Sequence, residues 1–401
     1  MFNSLKFKVI LFGFIFTFFS SFGQSYFLGL FNSSIREALS ITHGQFGSIY
    51  ASATLCSSLL LIWVGKKIDD VNIFKFAFFV TILLSFACFF FSRITSVFLL
   101  FIAIFLMRFS GQGMMSHTAS TTISRYFTKT RGRALSISWF GLSSAEFIMP
   151  VLMVYLLTII DWQNLWLIFS ITVIIVLPIA SFLLIKNLNL DSRESSDENI
   201  KEVEIKQWRR REVIKDYRFY IISSNMLAMP WIFTGFAVFQ SFIQTSKGWG
   251  PYVIAQSFMS YSIFSVLTLF LSGFLIDKFT SRKLLIYMNI PLLLSVIVLF
   301  FFDTPITAFV FLGLVGISNG FANILGSSTW AELYGVKYLG SIKALTTALM
   351  VFATAFGTAL FGYLIDIGFT VGDIAVVSGT YIFISLILLF LVRKKLNPVI
   401  I

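Results

Sequence analysis

Runs of apolar residues follow one another along the whole chain, separated by short polar interruptions. Twelve are long enough to cross a bilayer, which takes about 20 residues of α-helix. They cover 7–31, 45–64, 74–93, 96–123, 134–158, 163–185, 218–245, 251–276, 283–302, 304–330, 338–364 and 374–392. The strand-length alternation of a membrane barrel is absent. The pattern therefore predicts an all-α membrane protein of twelve transmembrane helices. Lys6 and Lys8 ahead of the first run imitate a signal peptide. That run continues past Phe22 with no small-x-small cleavage site, so it reads as an uncleaved first helix.

Composition agrees with this reading. Of 401 residues, 57% are hydrophobic and 12% charged, and mean hydropathy is +0.89. The net charge of +12 would raise the question of nucleic acid in a soluble chain, but its placement answers it. With alternating spans, 26 of the 30 Lys and Arg fall on one side; only Arg36, Arg93 and Lys247 fall on the other, and Arg108 lies within a span. Such a bias places both termini in the cytoplasm of a cell inner or plasma membrane, makes the lipid bilayer the partner, and leaves no need for nucleic acid. Cys56 and Cys88 sit in different spans at different expected depths, which excludes a disulfide or a metal spacing. No nucleophile with a nearby base, HExxH, Walker loop or CxxC is present. The chain is expected to be no enzyme, to hold no cofactor or metal, and to work from an ion or substrate gradient.

The one long polar stretch, 187–217, divides six spans from six. Three regions are expected: a six-helix bundle over 1–186, a cytoplasmic linker over 187–217, and a second bundle over 218–401. From Glu202 onward, Val203, Ile205, Trp208, Val213 and Ile214 point to an amphipathic helix, either along the membrane surface or as a solvated linker. The halves repeat. GKKID at 65–69 matches GFLID at 273–277, an offset of 208, and the same offset pairs Tyr126 with Tyr334 and Gly132 with Gly340. A six-plus-six repeat is a recurrent transporter design with its site between the halves near the midplane.

The second loop copy runs Gly273, three residues, Asp277, Lys278, then Arg282 and Lys283. It resembles the signature loop of the major facilitator superfamily. The first copy keeps Gly65 and Asp69 but carries Asp70, Asn72 and only Lys75 where basic residues and a glycine are usual. Arg108 with Gly111 and Gly113 resembles the family's fourth-helix motif, and Gly141 to Pro150 its fifth-helix motif. The resemblance spans essentially the whole chain. It implies two pseudo-symmetric six-helix bundles that rock about a small-molecule substrate, with a coupled proton as a candidate driving ion, in a protein that functions as a monomer. It also implies that the two loops clasp the opposite half and let go when the gate opens. In physical terms, Gly65 and Gly273 would let helices approach closely. Asp69 and Asp277 would face helix starts near Gly340 and Gly132.

Helices one, four, seven and ten line the cavity in that superfamily. This selects Gln24 and Tyr26, Arg108 and Gln112, Asn225, Trp231 and Gln240, and Asn319 and Asn323 as substrate candidates, each weighed against an interhelical hydrogen bond. Trp330 and Glu332 are expected to mark the membrane interface. WAELYGVKYLGSIKAL and RYFTKTRGRALSIS are similar to the monocarboxylate and oxalate–formate carriers. An organic anion such as a monocarboxylate is therefore the first expected substrate. Span eight, however, lacks the arginine those carriers place there. Export of amphipathic compounds or drugs is the alternative, and a non-transporting receptor the alternative of another class.

Arg108 is the exceptional residue. A lone charge at mid-bilayer costs at least about 2.5–3.5 kcal/mol and needs a partner or a wet cavity. It lies roughly 15 Å into its helix at 1.5 Å per residue. Glu146 is the one acidic residue deep in a span, at a matching depth in the next, antiparallel helix. The two are expected to pair, either as a structural lock or as a substrate and proton site. His117 is expected to be packed and hydrogen-bonded away from Arg108.

Overall fold

The structure is a computed structural model describing residues 5–127, 130–186, 206–335 and 337–398, apart from the side chains of Asp69, Arg131, Asp277 and Ser327. Among these residues, twelve helices are long and apolar enough to cross a membrane. They are α1 (Leu5–Gly29), α2 (His43–Ile68), α3 (Ile73–Phe91), α4 (Val97–Tyr126), α5 (Gly132–Leu156), α6 (Trp162–Ile185), α7 (Tyr217–Val238), α8 (Val253–Ile276), α9 (Ser281–Phe301), α10 (Pro305–Tyr334), α11 (Leu339–Asp366) and α12 (Val371–Lys395). Each matches a run read from the sequence. Local chemistry sets several starts. Thr42 and Gln45 form a capping box at α2, Thr370 and Asp373 do so at α12, and Asp216 accepts from the Arg218 N–H at α7.

The chain divides into two units, Met1–Asn199 and Ile200–Ile401. In the first, α1 packs on α4, α5 and α6, α2 on α4, and α3 on α6. The second repeats the scheme six helices later: α7 packs on α11 and α12, α8 on α10, and α9 on α12. Large apolar side chains remain on the outside of each unit. Phe78, Ile82, Phe86 and Phe89 form one exposed stripe along α3, and Leu267, Leu271 and Phe274 another along α8. Lipid, as apolar as these side chains, gives no reason to hide them.

Inside each unit the contacts rely on small residues and hydroxyls. Ser85 and Ser170 exchange hydroxyl-to-carbonyl hydrogen bonds between α3 and α6, at 3.0 and 2.7 Å. In α10, Gly313, Gly316 and Gly320 press against Ser260, Tyr261 and Ser265 of α8, leaving no room for a Cβ. The close approaches expected at Gly65 and Gly273 are not where the packing is tight. A Cβ on Gly65 would make ordinary contact with His117, and one on Gly273 would have no described atom within 4 Å.

Of the linker, 187–205 lies outside the described residues, and with it the start of the expected amphipathic helix, Val203 and Ile205 included. The described remainder holds a single turn, Arg210–Val213. Two of its apolar residues are taken up by the second unit, Val213 being fully buried and the Trp208 ring sitting 5.4 Å from that of Tyr334, while Ile214 is exposed.

Candidate functional site

The polar centre of the first unit is built on two irregularities. The first helical segment of α1 ends in a tight turn at Ser21–Gly23, Gln24 is extended (φ −81°, ψ 151°), and the helix restarts at Ser25. The sequence SSFGQS permits this, since Gly and Ser are weak helix formers. α4 is π-helical over Arg108–Met115, where Gly111 and Gly113 supply little helix propensity. The irregular stretches meet directly. A Cβ on Gly23 would collide with backbone atoms of Met107 and Gln112, and one on Gly111 would lie 2.7 Å from the Gly23 nitrogen.

That contact delivers Arg108 to the break in α1. Its Nη1 donates to the Gly23 carbonyl at 3.0 Å and to the Ser25 hydroxyl at 3.2 Å. The guanidinium carbon stands 5.4 Å from the centre of the Tyr50 ring, and the Tyr50 hydroxyl donates to Ser25 at 3.0 Å. A helix that stops leaves carbonyls unsatisfied and a partial negative charge at its end, which suits a cation. The side chain is almost wholly buried, and among the described residues its Nε–H is occluded with no acceptor.

The expected pair with Glu146 is not formed. Glu146 is buried in α5, and among the described residues it makes no ion pair or hydrogen bond. Tyr26, also buried, is within its Coulombic reach. The π-helical stretch alters the facing directions that regular helical counting gives, and the break in α1 supplies the partners Arg108 takes. Gln112 is half-buried in the π-helical stretch and Gln24 is half-buried at the break. His117 is hydrogen-bonded, its Nε2 lying 3.0 Å from the Gly65 carbonyl oxygen.

The second unit has a different centre. Asn225 is fully buried, and its backbone carbonyl accepts from the Asn289 amide at 2.6 Å, while its own side-chain amide atoms lack partners among the described residues. Trp231 packs edge-on against Phe356, Phe361 and Tyr381. Gln240 donates to the Ala237 carbonyl beyond the end of α7. Asn319 donates to Ser265 at 2.8 Å. Asn319 and Asn323 line a cleft of about 180 Å³. Its other walls include Met226, Met229, Met288, Met350, Phe233, Trp330, Ser223 and Thr346, and none of the described lining residues is charged. Trp330 is thus buried in the bundle and does not mark an interface.

The signature-loop residues divide similarly. The side chains of Asp69 and Asp277 lie outside the described residues. Lys278 and Lys283 are exposed. Arg282 pairs with Glu332 at 2.8 Å and donates to the Leu396 carbonyl and the Asn397 side chain. Glu332 also accepts from the Ser281 N–H and hydroxyl, so it caps α9. Sequence reading missed Gly23, Ser25, Tyr50 and this cap. The SSFGQS interruption was the available signal for the first two.

The family model described as Major Facilitator Superfamily matches residues 13–256. The chain belongs to that superfamily. It is accordingly a secondary transporter that moves small molecules across a lipid bilayer, and not an enzyme. No curated protein sequence matches it closely enough to add to this. Solved structures show the same fold. A bacterial homologue of the human lysosomal transporter Spinster, inward-facing and unoccupied, superposes with a TM-score of 0.74 at 15% identity, covering 98% of each chain. Its occupied form gives 0.73 at 14%, covering 97% of this chain and 96% of that one. The nucleoside transporter NupG gives 0.70 at 14%, covering 98% and 99%.

Proposed function

We propose that this transporter carries a small amphipathic solute with uncharged polar groups, bound at the cleft of the second unit. The observation behind this reading is the cleft's lining: four methionines, an aromatic pair and two asparagines, with no charge. Methionine adapts to varied apolar shapes and contacts aromatic rings well, while amides fix orientation. Nucleosides belong to this chemical class. Glu146, buried and without an ionic partner, is the group we assign to a coupled proton, because a lone carboxylate is costly in a membrane interior. Both termini are taken as cytoplasmic on the charge bias.

A thermal-shift panel of neutral amphipaths, nucleosides and small carboxylates tests the reading on the purified protein. Stabilisation by a neutral compound should survive Arg108→Gln and disappear in Asn323→Leu. Retention in Asn323→Leu would remove the cleft as the site. An organic anion is the second reading, favoured by the unpartnered Nε of Arg108. Stabilisation by a carboxylate that Arg108→Gln abolishes would establish it. Uptake into proteoliposomes separates either reading from a non-transporting receptor.

A further inference from the structure

At the mouth of α7 the end of the linker is held firmly against the second unit. The Trp208 N–H donates to the Tyr334 carbonyl at 3.0 Å, and the Lys337 N–H donates to the Gln207 side chain at 2.9 Å. Glu212 accepts from the Arg209 N–H at 2.7 Å and pairs with Lys206 at 2.9 Å. Between the linker and the start of α11 these contacts enclose an open cleft of about 590 Å³, lined by Lys206, Gln207, Arg209, Glu212, Lys337 and Tyr338. The charged ends of Arg209 and Lys337 each lie 5.8 Å from the Tyr338 ring centre, and both residues line the same cleft. Among the described residues, neither forms an ion pair. Arg210, Arg211 and Lys215 add exposed positive charge alongside, with no ion pair among the described residues.

Orientation of a membrane protein asks only for basic residues on one side. It does not ask that they be fixed around a cleft. Next to the arginines, Ile214, Tyr217 and Tyr220 are exposed, with Tyr220 donating to the Ile214 carbonyl at 2.8 Å. Apolar and phenolic side chains beside a basic cluster, at the first turn of a span, fit the headgroup region of a bilayer better than open solvent.

We propose that the cleft formed by Arg209, Lys337 and Tyr338 binds the phosphate headgroup of an anionic phospholipid, with Ile214, Tyr217 and Tyr220 set against its acyl and glycerol region. Clustered Lys and Arg just outside a span attract anionic lipid, and a preformed cleft lowers the ordering cost of holding one headgroup.

Native mass spectrometry of the full-length detergent-purified protein, titrated with phosphatidylglycerol or phosphatidylcholine, tests this. The wild type should bind phosphatidylglycerol in preference. Arg209→Gln/Lys337→Gln should weaken that binding about thirtyfold, which corresponds to about 2 kcal/mol for two basic residues near lipid. Arg209→Lys/Lys337→Arg, keeping the charge, should restore most of it. Lys8→Gln/Lys186→Gln, which removes equal charge elsewhere, should leave it unchanged. Equal losses in the two neutralised variants would reduce the effect to net charge and overturn the site. So would wild-type binding in Arg209→Gln/Lys337→Gln. Complete competition by inorganic phosphate would show a soluble-anion site instead. These outcomes are independent of the substrate cleft.

Discussion

In the first unit, Gly141 of α5 comes down on the Phe14 carbonyl of α1; in the second, Gly357 of α11 comes down on the Trp231 carbonyl of α7. The same close approach therefore recurs in the corresponding helix pair. The helices beside these pairs differ. In the first unit α1 is broken and α4 is π-helical, and Arg108 is drawn to the carbonyl freed at the break. In the second unit α10 runs unbroken from Pro305 to Tyr334 and meets α8 through three glycines, leaving an uncharged cleft lined by methionine and asparagine. The repeat thus keeps its tight backbone contacts while its polar chemistry diverges. One unit holds its charge where α1 and α4 are irregular, and the other keeps the cleft-lining α10 regular and uses amides. Irregular backbone at membrane depth is tolerable only where other protein groups satisfy it.

The largest effect should come from the shared contacts. Gly141→Val and Gly357→Val should each destabilise by about 3 kcal/mol or fail to fold, because the added atoms meet backbone that cannot yield. Gly273→Ala should stay within about 0.5 kcal/mol. Thermal unfolding in detergent checks all three, and a benign Gly357→Val would break the equivalence of the two pairs.

Next in size, Arg108→Gln removes charged hydrogen bonds to Gly23 and Ser25 and should cost about 1.5–3 kcal/mol. Asn319→Leu removes one neutral hydrogen bond in the second unit and should cost about 1 kcal/mol. Equal shifts in melting temperature would mean that the charge at the break of α1 is not a special device.

Glu146→Gln sharpens the functional side of the comparison. With no ion pair to lose, stability should change by about 0.5 kcal/mol or less. Uptake driven by a pH gradient into proteoliposomes should vanish while substrate exchange persists. Unaltered gradient-driven uptake would remove Glu146 as the proton carrier.

The smallest effect concerns Glu212, outside the spans. The Arg209 N–H, and then Lys206, hold its carboxyl below the usual carboxylate range. A lowered folded pKa means that the contribution is complete above the ordinary value of about 4.3 and fades as pH falls through the folded one. Glu212→Gln should flatten that acid-side dependence of thermal stability. It should also raise phosphatidylglycerol binding slightly, since one negative charge leaves the cleft.

The sequence by itself determined the twelve spans, the repeat and the membrane setting. These depend on summed hydrophobicity and on the spacing of landmarks such as Gly132 and Gly340, which packing detail does not alter. It also determined that Arg108 had to have company. Only the tertiary structure decided who that company was. Height along a helix follows from counting residues, but azimuth does not survive a π-helical stretch. A carbonyl freed by a break in α1 has no one-letter signature beyond the glycine and serines that permit it. Glu332 shows the same limit, because its place at a helix end was readable while the α9 cap it completes required another helix to arrive beside it.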